Sequence, residues 1–360
     1  MDDAGWRGTL ERGGARSLSM ESSGNITRVA VIGAGAFGQN HARVYRELAT
    51  QNFPVQLVAV VDTNPQQALQ AAAEFQVPGF DSIASLLADR TIVLDAASVA
   101  VPTVEHLAAA RALMESGADV LIEKPLAPSL DEADEIQRIA QRTARVAQVG
   151  HLERFNPGLQ ATLPLVTHPM FFEVHRLSMF SPRSLDVDVV LDLMIHDLDI
   201  VLSLVQSEVT EIRAVGLPIL SSRVDIANVR LEFASGCVAN FTASRVSTEK
   251  IRKLRFFQPR QYISVDFTRQ DVVAFQVEEP PEPSSTPMLS LAALAAGSGI
   301  RMHKPTVTKE EPLHAELKSF IAAVRNRASP LVTVADGRRA LAIALDISAA
   351  IAGHQRRALL

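Results

Sequence analysis

The segment Val29-Ala30-Val31-Ile32-Gly33-Ala34-Gly35-Ala36-Phe37-Gly38 limits this chain's fold more than any other. An apolar strand runs into glycines at 33, 35 and 38, and a helix-forming stretch follows. In that setting the first glycine allows a tight turn and the second lets the backbone approach a pyrophosphate. The third permits close packing of helix on strand, and the helix N-terminus meets the phosphate charge. Asp62 ends the next apolar strand, 24 residues after Gly38. A carboxylate there can accept hydrogen bonds from an adenosine ribose and repels a 2′-phosphate, so NAD is expected rather than NADP. The competing readings are a glycine turn with no nucleotide, and Asp62 as a cap for the next helix.

The pattern after this turn repeats. Strands are expected at Arg28–Gly33, Gln56–Asp62, Val93–Ser98, Asp119–Glu123 and Arg145–Gly150, with helices near 36–50, 65–75, 82–89, 103–116 and 129–143. Nearly continuous apolar strands alternating with helices imply a parallel sheet covered on both faces, a doubly wound Rossmann-type α/β domain over 26–150. The pattern then changes. A short helix (154–163), a strand at Met170–Leu177 and a helix over 187–205 precede strands at 209–216, 224–233, 237–246, 253–257, 262–267 and 272–277. Ser235-Gly236 is a hairpin signal. Two helices, near 313–327 and 335–353, close the chain. Residues 151–360 are therefore expected to form an α+β domain with a large, mostly antiparallel sheet. Two domains suit a chain of 360 residues.

Residues 1–25 are polar, rich in Gly, Ser and Arg, and are expected to be disordered; the proline-rich stretch 278–287 is expected to be a mobile loop. A net charge of -5 argues against nucleic-acid or polyanionic membrane partners, and no apolar run reaches the roughly 20 residues of a membrane span. The single cysteine, Cys237, excludes an internal disulfide framework and suits a reducing cytoplasm.

Four further groups bear on chemistry. Glu123-Lys124-Pro125 ends the strand Asp119–Glu123, at the sheet edge where ligands gather in open α/β sheets. A lysine there can exchange a proton with a substrate hydroxyl if burial lowers its pKa; the alternative is a plain surface lysine. The cofactor set expected at this edge is Gly33, Gly35, Ala36, Phe37, Gly38, Asp62, Ser98, Val101, His106, Glu123 and Lys124. Asp192, His196 and Asp199 stand at i, i+4 and i+7 of one helix and share a face. His196 suits a proton relay that Asp192 orients; a solvated acidic face and a weakly supported metal site are the alternatives. No metal is expected. In His151-Leu152-Glu153-Arg154-Phe155-Asn156-Pro157, Arg154 and Asn156 suit polar substrate groups, or else tie the domains together. Arg176 and Arg183 flank the loop before the Asp192 helix and are candidates for a diphosphate.

These residues resemble the glucose–fructose oxidoreductase/inositol dehydrogenase (Gfo/Idh/MocA) family, from Arg28 to the final helix. The resemblance implies a Rossmann domain followed by an α/β domain whose open sheet often forms the oligomer interface, hence a homodimer or homotetramer. Glu123-Lys124-Pro125 matches the family's E-K-P, whose lysine takes part in proton transfer beside the cofactor. Asp192, His196 and Asp199 match its D-x-G-x-H-x-x-D, except that Met194 stands where glycine is usual and is expected to narrow the pocket floor. Gly150 to Pro157 is similar to the G-H-[IL]-E-R-F-N-P of the family's sugar-nucleotide 3-dehydrogenases. The stretch from Pro182-Arg183 to the Asp192 helix looks like the same subgroup. The resemblance thus implies NAD-dependent oxidation of the C3 hydroxyl of a UDP-sugar, UDP-N-acetylglucosamine above all. Lys124, Arg154, Asn156, Arg176, Arg183, Asp192 and His196 would bind the substrate. A downstream aminotransferase would make a 3-amino sugar for lipid A or a surface polysaccharide. A dehydrogenase of free sugars or inositols is the nearest rival, and a non-catalytic NAD sensor the rival from another class.

Overall fold

A computed structural model describes residues 26–180, 187–277 and 300–358. The expectations for residues 1–25, for the loop 278–287 and for Arg183 fall outside the described residues.

The first sheet holds β1 (Thr27–Ile32), β2 (Val55–Val61), β3 (Gly79–Phe80), β4 (Ala96–Val99), β5 (Asp119–Glu123) and β6 (Ala147–Gly150), in the order β3-β2-β1-β4-β5-β6. Every pair is parallel. All four residues of β4 and of β6 are buried, which is why these strands carry no polar alternation, only the single polar residues Ser98 and Gln148. The strand β3 escaped the sequence reading because two residues carry no periodicity.

Helices α1 (Ala36–Thr50) and α2 (Pro65–Phe75) cover one face; α3 (Ile83–Ala88), α4 (His106–Ser116) and α5 (Leu130–Thr143) cover the other. Their ends follow from local chemistry. Asn64 caps α2 ahead of Pro65, the Ser129 hydroxyl accepts from Glu132 N–H at the start of α5, and Gly117 ends α4 at φ +99°.

The second sheet contains β7 (Phe171–Leu177), β8 (Val209–Leu217), β9 (Ile226–Phe233), β10 (Val238–Ser244), β11 (Ile251–Gln258), β12 (Gln261–Asp266), β13 (Asp271–Val277) and β14 (Ile300–His303). Their order is β14-β13-β12-β11-β7-β10-β9-β8, antiparallel except between β7 and β10. Burial alternates along β7, so Phe172, Val174 and Arg176 face inward while Phe171, Glu173 and His175 face out. On the outer face Phe171, Phe257, Tyr262 and Phe275 form an aromatic ladder, with successive ring centroids 5.6, 5.0 and 5.9 Å apart.

Two expected helices are broken. Residues 152–155 form a 3-10 turn, and α6 (Pro157–Thr162) starts afresh because Pro157 cannot donate to the preceding turn. Likewise Val190–Met194 is a π turn that leads into α7 (Ile195–Leu204). The two closing helices serve both halves. Leu317, Phe320 and Ile321 of α8 (Pro312–Asn326) pack on the α1 face of the first sheet. In α9 (Val334–Ala358), Leu341 enters the first core, and Ala344, Ile347 and Ile351 enter the second.

Candidate active site

The glycines do what their spacing requires. Gly33 sits at φ +95°, and a Cβ there would lie 2.5 Å from the Ala100 carbonyl oxygen, so the loops after β1 and β4 close on each other only around glycine. A Cβ on Gly38 would lie 1.7 Å from the Gly33 carbonyl oxygen, while one on Gly35 would meet nothing within 4 Å. The turn is thus closed on its packed sides and open toward a cavity of about 930 Å³. That cavity is lined by Gly33, Gly35, Ala36, Phe37, Asp62 and Val101 among others. Asp62 accepts from Ala34 N–H at 2.7 Å and from Asn64 N–H at 2.8 Å. It therefore ties the glycine turn to the end of β2, and the cap of α2 is Asn64 instead. An open backbone cradle, a carboxylate at the neighbouring strand end and a cavity between them fit a dinucleotide.

Two residues expected at the cofactor lie elsewhere. Ser98 is fully buried and its hydroxyl is 2.8 Å from that of Tyr45, so it faces α1 and not the cavity. His106 is also buried, with ring nitrogens 3.0 Å from the Val101 carbonyl and 3.1 Å from that of Pro125. It braces the loop after β4 against the loop after β5 from behind.

Lys124 follows β5 and reaches across to the π turn. Its Nζ donates to the Asp192 carbonyl at 2.7 Å and lies 3.5 Å from Asp192 Oδ1; the Lys124–Pro125 peptide is cis. Its side chain is only 13% exposed, and burial lowers its pKa against the pull of Asp192 and Glu123. Glu123 turns to the α1 face, where Oε1 lies 2.9 Å from His41 Nε2. Burial pushes the Glu123 carboxyl up, but His41 and Lys124 outweigh it and hold the group below the usual range.

His196 and His151 complete this group, meeting edge to face at 6.2 Å between centroids. Burial holds both below the ordinary histidine pKa, His196 well below with help from Lys124 and Arg176, so both rings are neutral at pH 7. Both nitrogens of His151, Nδ1 of His196 and Oδ2 of Asp199 are buried without a hydrogen-bond partner. The Asp199 carboxyl is raised by burial, and Arg154 reaches its Oδ1 at 3.4 Å. Asp199 is 2% exposed, and Asp192 and His196 are half-buried, so the trio is not a fully solvated face. Nor does it gather ligands for a metal. Among the described residues the clustered donors are Glu47, Glu311 and His314, and Arg43 already pairs with both of those carboxylates.

Three expectations for the substrate side need correction. Arg176 points inward from β7 and is 2% exposed. It binds Asp197 with two bonds of 2.8 Å and Glu153 with one of 2.9 Å. Burial opposes its charge, yet the two carboxylates raise its pKa, and it acts as an internal brace. Asn156 is buried: it accepts from Gly158 N–H as the cap of α6 and donates to Glu153 and the Phe267 carbonyl. That leaves it no free group for a substrate. Met194 is fully buried in the second core and does not narrow the cleft. Sequence reasoning passed over His151 and Glu153, although it quoted their segment, and gave no role to His41 or Asp197. Their roles come from burial and partners that neighbours in the chain do not reveal.

Comparison with known proteins supplies the context. The description "Oxidoreductase family, NAD-binding Rossmann fold" of GFO/IDH/MocA matches residues 27–151, and the GFO/IDH/MocA C-terminal domain matches residues 170–267. The chain is 34% identical over 331 residues to a UDP-N-acetylglucosamine 3-dehydrogenase of Acidithiobacillus ferrooxidans, covering 92% of this chain and 99% of that protein. A solved structure of the enzyme from that organism superposes with a TM-score of 0.79 at 35% identity, covering 90% of this chain and 97% of the other. A scyllo-inositol 2-dehydrogenase (NAD(+)) of Bacillus subtilis is 28% identical over 236 residues, 61% of this chain and 68% of that protein.

Proposed function

The chain belongs to the Gfo/Idh/MocA family of NAD-binding oxidoreductases, and from that premise we propose that it oxidises the C3 hydroxyl of a UDP-sugar, UDP-N-acetylglucosamine above all. NAD is the cofactor, and when bound it supplies the hydride acceptor. The observation that carries the reading is Lys124: a buried amine of lowered pKa, held by the Asp192 carbonyl beside two neutral imidazoles.

An amine whose N–H is tied to that carbonyl directs its lone pair elsewhere. Lys124 Nζ then takes the C3 hydroxyl proton as the C3–H bond gives up its hydride, leaving a 3-keto sugar. His196 passes that proton on, and His151, edge to face with it, backs it. Arg154 keeps Asp199 in place at the end of the same stripe. The cradle of Gly33, Gly35, Ala36, Phe37 and Gly38 holds the pyrophosphate, Asp62 the adenosine ribose, and Val101 lines the same cavity.

A 3-keto product suits a following aminotransferase, and the aromatic ladder on the outer face of the second sheet suits a homo-oligomer contact. No described helix is long and apolar enough to cross a membrane, and the lone buried Cys237 accords with a reducing cytoplasm.

Absorbance of NADH on mixing protein, NAD and UDP-N-acetylglucosamine tests the reading, with myo-inositol and glucose as controls and a glutamate-dependent aminotransferase added to draw off the ketone. Reduction with the UDP-sugar alone supports it. Reduction with inositol or glucose instead assigns a free polyol, and NAD binding without reduction of any kind leaves a sensor.

A further inference from the structure

Arg252, on β11, has no part in the site as described, yet it lies beside it. It pairs across the strands with Arg176, so both side chains project from the same face of the sheet, the face on which α7 packs. Leu177, Ser244 and Ile251 align at one end of the sheet, and Arg252 is one residue in from that end. The π turn and His196 lie on the same side, and the charge of Arg252 adds, after burial, Lys124, Arg176 and His151, to what keeps His196 unprotonated.

The two arginines differ in what they hold. Arg176 is enclosed and its guanidinium is met by Asp197 and Glu153 at 2.8–2.9 Å. Arg252 has one long contact, 3.4 Å to Glu153 Oε1, an oxygen that Arg176 already occupies. Its Nε is buried with no hydrogen-bond partner, while its side chain as a whole is 35% exposed. A buried guanidinium N–H without an acceptor costs free energy comparable to a lost hydrogen bond. Burial and the neighbouring Arg176 both make Arg252 hold its charge less readily, as expected of a cation short of anions. A guanidinium with an unmet N–H, a weakly held second donor and a partly exposed side chain beside the proton-transfer group suits the paired oxygens of a phosphate.

We propose that Arg252 binds the diphosphate of the nucleotide-linked substrate, anchoring it so that the sugar ring lies between Lys124 and His196. This rests on the UDP-sugar reading and adds to it a recognition residue on the second sheet. It also shifts the diphosphate contact from the enclosed Arg176 to its cross-strand neighbour. The residue distinguishes a nucleotide-linked sugar from a free one, because only the former offers it an anion.

Calorimetric titration of UDP, UDP-N-acetylglucosamine and its uronic acid counterpart into the NAD-loaded protein tests the inference. Wild type, Arg252→Gln and Arg252→Lys are compared. Arg252→Gln should weaken UDP itself by about tenfold or more, as expected for the loss of charge-assisted hydrogen bonds, with Arg252→Lys in between. NAD affinity should be unchanged in both, which also reports that they are folded. UDP binding equal in all three proteins overturns the role of Arg252 and leaves the UDP-sugar reading standing. A loss confined to the uronic acid ligand overturns it too, since the contact would then be to a sugar carboxylate. A wild-type protein that binds none of the three ligands defeats the UDP-sugar reading itself, and the inference with it.

Discussion

Two sets of buried polar groups meet at the cleft, and they differ in how far they satisfy one another. Around Arg176, the guanidinium, Asp197, Glu153 and Asn156 form a closed set of bonds between 2.8 and 3.2 Å. Around Lys124, the neutral rings of His151 and His196 and one oxygen of Asp199 keep buried atoms without partners. Both sets are enclosed, and apart from Arg176 on β7 and Lys124 after β5 both come from the same two short segments, 151–156 and 192–199. The closed set has no capacity left for a ligand and holds the second sheet to α7. The open set has its hydrogen bonds still to make, and a substrate hydroxyl is the kind of group that makes them. Burial by itself therefore does not mark a reactive site; what distinguishes the Lys124 group is that its unused donors and acceptors gather around one buried amine.

The contrast breaks if the closed set proves dispensable. Arg176→Met leaves Asp197 and Glu153 buried without their cation, and should cost about 3–5 kcal/mol of stability. Denaturant midpoints measure this, and a loss under about 1 kcal/mol would make Arg176 no more than a surface-type pair. On the cofactor side, Asp62→Ala should weaken NAD by about tenfold, the loss of hydrogen bonds to a charged group, while hardly touching NADP. Fluorescence titration with both nucleotides measures it, and an unchanged preference refutes the ribose role.

A smaller effect sharpens the account of the open set. His151 binds protons more weakly folded than unfolded, because burial disfavours its charge. As pH falls through the ordinary histidine pKa of about 6.5, the unfolded chain takes up the proton first, so the folded state loses stability from there downward. His151→Leu should flatten that fall, seen as a smaller drop in melting temperature between pH 7.5 and pH 5.5. Asp197, whose carboxyl is raised, shifts stability the opposite way but is common to both proteins and cancels in the difference; the raised Asp199 also shifts it the opposite way, and losing His151, which opposes that rise, adds to the flattening. An equally steep fall in the variant would mean that His151 is not the neutral buried ring described.

Legibility in the sequence followed the same division. The positions of the glycine turn, Asp62 and Lys124 could be read because each is set by a strand end and the few residues beside it. The two sheets were readable from period and length, apart from the two-residue β3 and the exposed edge strand β14. Arg176 was misread as a ligand-binding group, although the alternation Phe172, Val174, Arg176 already placed it on the inward face. Asn156 directly before Pro157 was likewise an available cap signal. The inward turn of Ser98 and His106, the π turn at Val190–Met194 and the unpaired Nε of Arg252 had no such signal. They depend on which helix packs where, and on which partner reaches an atom first.

Lys124 carries the central claim, and replacing it by methionine keeps the length of the side chain while removing the proton acceptor. Rapid-mixing absorbance of a single turnover with UDP-N-acetylglucosamine, alongside NAD binding to the same Lys124→Met protein, measures its role. The expected result is wild-type NAD affinity with hydride transfer slowed by about 10²–10⁴-fold, the usual contribution of a positioned acid or base. Hydride transfer within a few-fold of wild type would contradict the account, because the open set would then be doing no proton chemistry.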